Sequence, residues 1–538
     1  MDKLVSVAEM KQIEAEANEM GLSYERMMEN AGKALAEAAN KAYSQSVHPV
    51  VLGLVGSGNN GGDTMIALSE LARQGWKVKA YLVKKRSPED RWVEEITQNG
   101  GEVEISNAAI LKKWISEADL ILDGVLGTGI KLPLTPEIST VLGSVQEELA
   151  SMETPPEIIA VDCPSGVDCD TGDAAEETLA ADSTVCMAAV KKGLLAFPAY
   201  ELAGEIQVVD IGFSDELPGW KAVQNFVVQM EDVLEKLPPR PADAHKGTFG
   251  TAMIVAGSVN YTGAALLAGE AAYRIGTGLV TMAVPAPLHT ALAGQLPEAT
   301  WLLLPHEMGV IAENADTVIK QNFGQSKALL LGPGWGQEDT TFQFLNRLVS
   351  TNQPHKRGEI GFVHRETPFE VKEQPLPPLV IDADGLKLLA KIPEWPKKIP
   401  AGTVLTPHPG EMSVLTGLSV EEILKNRLEV ARKYSQQWGQ VVILKGAFTV
   451  IAQPGGQACV IPVATAALAR AGTGDVLAGI VTGLCAQGMD GFEAAYCGAW
   501  IHAQCGLQAE AELGSSAPVL AGDVLAAIPI VLEEIQYS

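Results

Sequence analysis

Apolar residues in this chain gather in short runs, most of which close on glycine, asparagine or aspartate and lead into a longer amphipathic stretch. Val50-Val51-Leu52-Gly53-Leu54-Val55 is such a run. It empties into Gly56-Ser57-Gly58-Asn59-Asn60-Gly61-Gly62-Asp63, and the spacing beyond predicts a helix over 64–74. A run apolar on both faces suits a strand buried in a parallel sheet with helices on either side. The rhythm recurs, with strands predicted over 77–83, 119–123, 157–161, 184–189 and 206–211. Ser6-Val7-Ala8-Glu9 is a capping box opening a first helix, Ser23 caps a second that reaches residue 42, and Ser87-Pro88 starts another.

Pro238-Pro239-Arg240-Pro241 interrupts this rhythm with a stiff segment that cannot extend a sheet. The expected organisation is a domain over 1–228, a linker over 229–242 and a second domain over 243–538. In the second half His245-Lys246-Gly247-Thr248-Phe249-Gly250 leads into a strand over 252–256, and Tyr261-Thr262-Gly263-Ala264 opens an Ala-rich helix. Later strands end in Gly332-Pro333-Gly334-Trp335-Gly336, in Asp382-Ala383-Asp384-Gly385, and in Thr406-Pro407-His408-Pro409-Gly410-Glu411. Val441-Val442-Ile443-Leu444 closes on Lys445-Gly446, ahead of a hairpin pairing 449–452 with 459–462, and 352–378 reads as a polar, proline-bearing excursion. Strand–helix alternation through both halves predicts two α/β/α domains.

At 538 residues the chain is too long for one core, which agrees with two domains. A formal net charge of -27 excludes a nucleic-acid or anionic-membrane partner, because the overall field repels both. A nucleotide needs only local amides and a lysine or two. The seven cysteines are scattered without a CxxC, so neither a disulfide frame nor a zinc site is indicated. His502 and Cys505, three apart on a predicted helix, read as a buried structural pair. Met1-Asp2-Lys3-Leu4 lacks the apolar core of a signal peptide, and glycine, threonine and proline break the uncharged run over 275–297; the expected location is the cytoplasm.

The richest stretch chemically is Ala469-Arg470-Ala471-Gly472-Thr473-Gly474-Asp475-Val476, where an irregular segment turns into an apolar helix predicted from 476 to 487. Unpaired amides and the helix dipole make the space in front of such a helix positive, which suits a phosphate. Asp475 stands where it takes a proton from a hydroxyl beside that phosphate. In the first half Asp63, Asp123 and Asp162 all follow apolar strands, and parallel strand ends share one edge, where ligands bind. Gly56-x-Gly58-x-x-Gly61 matches the dinucleotide fingerprint, but the next strand runs into Lys84-Lys85-Arg86 instead of the acid that grips a ribose.

Taken together, these motifs resemble the bifunctional NAD(P)H-hydrate repair enzymes over nearly the full length. GSGNNGGD, GTGIKLP and DCPSGVDCDTG are similar to the NAD(P)HX epimerase domain, while HKGTFG, GPGWG, VIDADGL, TPHPGEM, LKG and AGTGDVLAG are similar to the ADP-dependent NAD(P)HX dehydratase. The resemblance implies a Rossmann-like first domain and a ribokinase-like second one. The implied substrate is NADH or NADPH carrying a hydroxyl at C6 of the nicotinamide ring, as two epimers; the first domain interconverts them and the second dehydrates the S epimer with ADP. By motif, Asn60, Asp123 and Ser165 are implied potassium ligands. Asn59, Asn60, Gly61, Gly62 and Asp63, with Gly127, Thr128, Gly129, Ile130, Lys131, Leu132 and Pro133, surround the hydrate. Asp162 is the candidate acid–base group, and Lys191, in the KKGLL stretch, is a second catalytic candidate. In the second domain Lys445, Gly446, Ala447, Phe448, Thr449 and Gly474 hold ADP, accompanied by Mg2+. Ala264, Gly334, Gly336 and His408 face the hydrate, and Asp475 activates its hydroxyl. Two residues depart from the family pattern: Thr64 stands for a usual Gly, and Lys387 for a frequent Asn. The rival reading is a small-molecule kinase, since GxGD loops also serve phosphorylation of sugars and vitamins. The expected partner is a small molecule, and a homo-oligomer is left open.

Overall fold

The computed structural model describes residues 1–43, 48–84, 91–350 and 375–537, so Ser87-Pro88 and most of the 352–378 stretch lie outside the described residues. The chain divides into two compact units, Asp2–Val227 and Val228–Ser538.

In the first unit the strands are β1 (Asp2–Val5), β2 (Val50–Val55), β3 (Lys77–Leu82), β4 (Glu102–Ile105), β5 (Leu120–Gly124), β6 (Glu157–Val161), β7 (Ser183–Met187), β8 (Val190–Lys191), β9 (Glu205–Val209) and β10 (Asn225–Val227). A parallel sheet runs in the order β4-β3-β2-β5-β6-β7-β9, while β1 pairs parallel with β8 and antiparallel with β10. Alternate residues of the central strands feed two cores, Val51, Val55 and Leu122 on one face and Leu52, Leu54 and Ile121 on the other. Double coverage explains why these strands read as unbroken apolar runs. The strand order reverses between β2 and β5, so the loops after those two strands diverge and leave a crevice.

Three helices bear on that crevice: α1 (Val7–Glu19), α2 (Tyr24–Ala42) and α3 (Asn59–Arg73). The predicted capping box at Ser6 and Glu9 is present, and Ser23 caps α2. α3 begins at Asn59, earlier than the expected 64, because Gly61 and Gly62 serve close packing and not a loop. A Cβ on Gly61 would lie 2.1 Å from the Gly56 carbonyl oxygen, and one on Gly62 would lie 2.6 Å from Met28 Sδ. The glycines therefore let the helix start flush against the strand end and α2.

The second unit carries β11 (Thr251–Val255), β12 (Leu279–Pro285), β13 (Thr300–Leu304), the short hairpin β14 (His306–Glu307) and β15 (Val310–Ile311), β16 (Ala328–Leu331), β17 (Leu379–Ile381), β18 (Val404–Leu405), β19 (Val441–Leu444), β20 (Val450–Ala452) and β21 (Ala458–Val460). Parallel pairing gives the order β13-β12-β11-β16-β17-β18-β19, and β19-β20-β21 continues antiparallel. The order reverses between β11 and β16. Part of the expected 229–242 linker is a helix of this unit, Met230–Lys236, with Val233 buried and Lys236 Nζ 3.1 Å from Glu493. Gln229 and Asp232 form a capping box that starts it, a local signal overshadowed by the prolines that follow. The helix after the Gly472 turn runs Thr473–Ala486, also earlier than expected, with Gly472 at φ 91° as its N-cap. Among the described residues no helix is long and apolar enough to cross a membrane.

Candidate functional site

In the first unit the polar residues meet where β2, β5 and β6 end. Asn60, in the first turn of α3, donates through Nδ2 to the carbonyl oxygens of Leu126 (3.3 Å) and Val161. Asp123 on β5 is fully buried; its carboxylate accepts from the amides of Ser165 (2.8 Å) and Val125 (3.5 Å). Ser165 Oγ in turn accepts from the Leu126 amide at 2.8 Å. Asn60, Asp123 and Ser165 thus share one nest of oxygens. Burial raises the Asp123 pKa, opposed only by the amides and hydroxyl around it, and no side-chain cation pairs with it among the described residues.

A second cluster forms beside the first. Asp162 closes β6 at φ 67°, a conformation rare for a residue with a Cβ. Its carboxylate accepts from the Met187 amide (2.9 Å) and from Lys191 Nζ, which also donates to the Met187 carbonyl at 3.0 Å. Lys191 is fully buried; burial lowers its pKa, but Asp162, with Cys186 and Cys163, more than offsets this and holds the lysine charged. Asp63 is buried too, and burial, then Asp162 and Glu14, push its carboxyl well above the carboxylate range. Glu14 comes from α1 and is itself raised, by burial and then Asp162.

A cavity of about 350 Å³ opens between the two glycine loops. Its walls include Gly56, Gly58, Asn59, Asn60 and Gly61 on one side and Gly127, Thr128, Gly129 and Ile130 on the other, with Lys11 of α1 and Lys84. Lys131, Leu132 and Pro133 are exposed and do not line it. Thr64 is buried with its hydroxyl donating to the Asn60 carbonyl at 2.7 Å, so it braces the helix start.

In the second unit Lys445, at the end of β19, donates to Asp382 at 2.7 Å and lies 3.8 Å from Glu411. Asp382 also accepts from Thr406 Oγ1 at 2.6 Å. Gly474 sits over this pair: a Cβ there would be 3.4 Å from Lys445 Nζ. Asp475 follows in the first turn of its helix. Burial pushes its pKa up to about 7, reinforced by Asp382 and moderated by Lys445. His502, buried, holds the Thr473 carbonyl at 2.8 Å; burial drops its pKa to about 4, so it is a neutral prop for the loop.

His408 caps the helix Pro409–Thr416, with Nδ1 accepting from the amides of Gly410 (3.0 Å) and Glu411 (3.3 Å). That leaves the ring proton on Nε2, 3.4 Å from Glu411 Oε1. Gly334, at φ 66°, approaches Ala264: a Cβ on it would meet the Ala264 Cβ at 2.9 Å. The Gly336 amide donates to Asp384 (3.0 Å), whose other oxygen faces Lys387 at 3.2 Å. The turn after Lys445 is clamped by Arg427, which donates to the carbonyls of Ala447 and Leu444 (2.9 Å); burial lowers its pKa to about 10. Thr449 Oγ1 closes the turn on the Gly446 carbonyl at 2.8 Å, and Phe448 takes φ 52°.

Several of these residues escape a reading of motifs. Asp382 and Glu411 lie inside quoted motifs without a role, Arg427 and Glu14 lie on helices far from any glycine loop, and Lys387 is a one-residue departure. The available signal for Glu14 is a carboxylate bordering the buried stripe Met10, Ile13 and Ala17. Among the described residues no cluster of three or more His, Cys, Asp or Glu side chains is arranged to hold a metal ion.

A glycine-lined crevice at the strand-order reversal of the first unit, and glycine turns with buried carboxylates after the parallel strands of the second, define a two-unit α/β protein of the nucleotide-handling class. Family models match along both: "NAD(P)H-hydrate dehydratase" over residues 252–529 and "YjeF-related protein N-terminus" over 24–193. A bifunctional NAD(P)H-hydrate repair enzyme of Moorella thermoacetica is 34% identical over 549 residues, covering 99% of this chain and 97% of the relative. Its counterpart in Escherichia coli is 30% identical over 491 residues, covering 90% and 85%. Among solved structures, the ADP/ATP-dependent NAD(P)H-hydrate dehydratase from Bacillus subtilis, co-crystallized with ATP/Mg2+, is 30% identical and covers 58% of this chain and 98% of that one, with a TM-score of 0.47. The chain belongs to the family of bifunctional NAD(P)H-hydrate repair enzymes.

Proposed function

We propose that the chain repairs hydrated NADH and NADPH: the first unit epimerises the C6 hydroxyl, and the second removes it from the S epimer with ADP. The observation that carries the second step is Asp475, a half-buried carboxylate with a pKa of about 7 in the first turn of a helix, next to Lys445. Asp475 takes the proton of the C6 hydroxyl as that oxygen attacks the terminal phosphorus of ADP, and the P–O bond to AMP breaks. Lys445 and the amides of the Gly472, Thr473 and Gly474 turn hold the charge that develops on the transferred group. The C6–O bond then breaks with its electron pair on phosphate, the ring nitrogen lone pair assists, and loss of a C5 proton restores the reduced ring. Gly446, Ala447, Phe448 and Thr449 would hold the nucleotide, their turn clamped by Arg427. Ala264, Gly334, Gly336 and His408 would face the hydrate.

In the first unit Asp162 is the proposed acid–base group, oriented by Lys191. Asn60, Asp123 and Ser165 would hold potassium. The fit rests on Asp123, a fully buried carboxylate facing amides and a hydroxyl but no side-chain cation, and on the hard oxygen donors around it. Potassium would there supply charge that neutralises Asp123 and stiffens the strand ends. Mg2+ has no protein cage among the described residues, and no step here depends on it.

The test is to add a mixed chemical hydrate of NADH to the full chain with ADP and potassium, and to follow the absorbance of the reduced ring. Full return of absorbance only when ADP is present supports the proposal. A phosphorylated vitamin or sugar formed without return of the ring would replace it with a kinase.

A further inference from the structure

We infer that Asp63 is the second proton-transfer group of the epimerase site: a carboxylic acid that gives its proton to the C6 hydroxyl, working with Asp162. This deepens the epimerase reading of the first unit and rests on it.

Several charges share one buried space in the first unit. Asp63 on α3, Asp162 after β6 and Glu14 on α1 bring three carboxyls together, and the cation facing all of them is Lys191 on β8. Lys191 is committed: its Nζ donates to Asp162 and to the Met187 carbonyl. Asp63 is 6% exposed, yet its carboxyl has no hydrogen-bond or ion-pair partner among the described residues. Geometry brings it to the chemistry. Asn60, one turn earlier on the same face of α3, donates to the carbonyl of Val161, the residue before Asp162. A buried carboxyl with no donor, in the company of other carboxyls, favours its protonated form, which is what a general acid requires. Burial, Asp162 and Glu14 all push its pKa up, and Lys191 only partly opposes them; Lys11, also on α1, acts on Glu14.

The chemistry balances without any added reactant. Asp63 gives its proton to the C6 oxygen, the C6–O bond breaks with its electron pair leaving on water, and the ring nitrogen lone pair forms a C6–N1 double bond. Water then adds to the opposite face and loses a proton to Asp162. The pair resets when that proton returns to Asp63, whose surroundings favour the protonated form. The reverse epimerisation uses the same two groups with roles exchanged.

The test uses the full chain and one purified epimer of hydrated NADH, with epimers separated by chromatography and ADP-dependent dehydration of the S epimer measured alongside. Asp63→Asn should lower epimerisation on the order of a hundredfold or more while dehydration is unchanged. In the parent protein epimerisation should fall as pH rises through the raised Asp63 pKa, and the residual Asp63→Asn rate should lack that fall. Asp63→Glu, which keeps an acid, should recover part of the rate and move the basic limb. An Asp63→Asn protein that epimerises at the parent rate with the parent pH profile, beside an inactive Asp162→Asn, overturns the inference and leaves the epimerase reading standing. Parent rates in both variants would sink the reading itself, and the inference with it.

Discussion

Both units gather carboxylates and a lysine where parallel strands end, but they tie up their lysines differently. In the first, Lys191 is fully buried and bonded to the proposed acid–base residue itself, Asp162. In the second, Lys445 is bonded to Asp382 and near Glu411, and Asp475 is left beside the pair with a pKa of about 7. Beside Asp475 the lysine only moderates the rise that burial causes. The first site therefore commits its lysine to Asp162 and leaves Asp63, whose carboxyl burial pushes well above the carboxylate range, without a partner among the described residues. The second keeps a single group poised near neutral pH. That division suits a reversible inversion in one unit and a one-way proton abstraction in the other.

Substitution of Asp475 breaks the comparison most sharply. Asp475→Asn keeps the shape but cannot take a proton, and dehydration should fall on the order of a thousandfold while the epimers still equilibrate. Steady-state ADP-dependent turnover together with epimer chromatography checks both halves of that statement; near-parent turnover would remove Asp475 from the role. Next in size, Asp162→Asn should slow epimerisation on the order of a hundredfold. A mixed hydrate should then show a fast phase of repair that stops short, followed by a slow remainder limited by spontaneous inversion. One unbroken phase at the parent's rate would mean that Asp162 does not serve inversion. A third effect is one of pH. Asp475 must be ionised to accept a proton, and its pKa is raised to about 7. The dehydration kcat/KM should therefore decline as pH drops through about 7, approaching tenfold per pH unit below it. Initial rates with purified S epimer between pH 5 and 8 measure this; a flat profile would place the base elsewhere.

Much of this was legible along the chain because it is local. The capping box at Ser6, the N-cap at Ser23, the strand Val50–Val55 and the strand Val441–Leu444 rest on side-chain period and turn chemistry within a few residues. The α/β class follows from the alternation of such runs, and the glycine loops mark the strand ends where ligands gather. What the local pattern misjudged was also local in origin: glycines read as loop formers at Gly61 and Gly62 are packing residues inside α3, and prolines hid the helix Met230–Lys236.

The rest was decided by tertiary structure alone. Which lysine meets which aspartate depends on partners such as Asp382 and Lys445, 63 positions apart, that come together through strand order. Glu14 reaches the first site because α1 lies against it, and Arg427 reaches the turn after Lys445 from a neighbouring helix; neither carries a motif. Protonation states follow from burial and from the charges that packing brings near. The sequence by itself determined where the carboxylates stand along the chain; the folded environment decided which of them hold a proton, because desolvation and Coulomb energies act through space and not along the backbone.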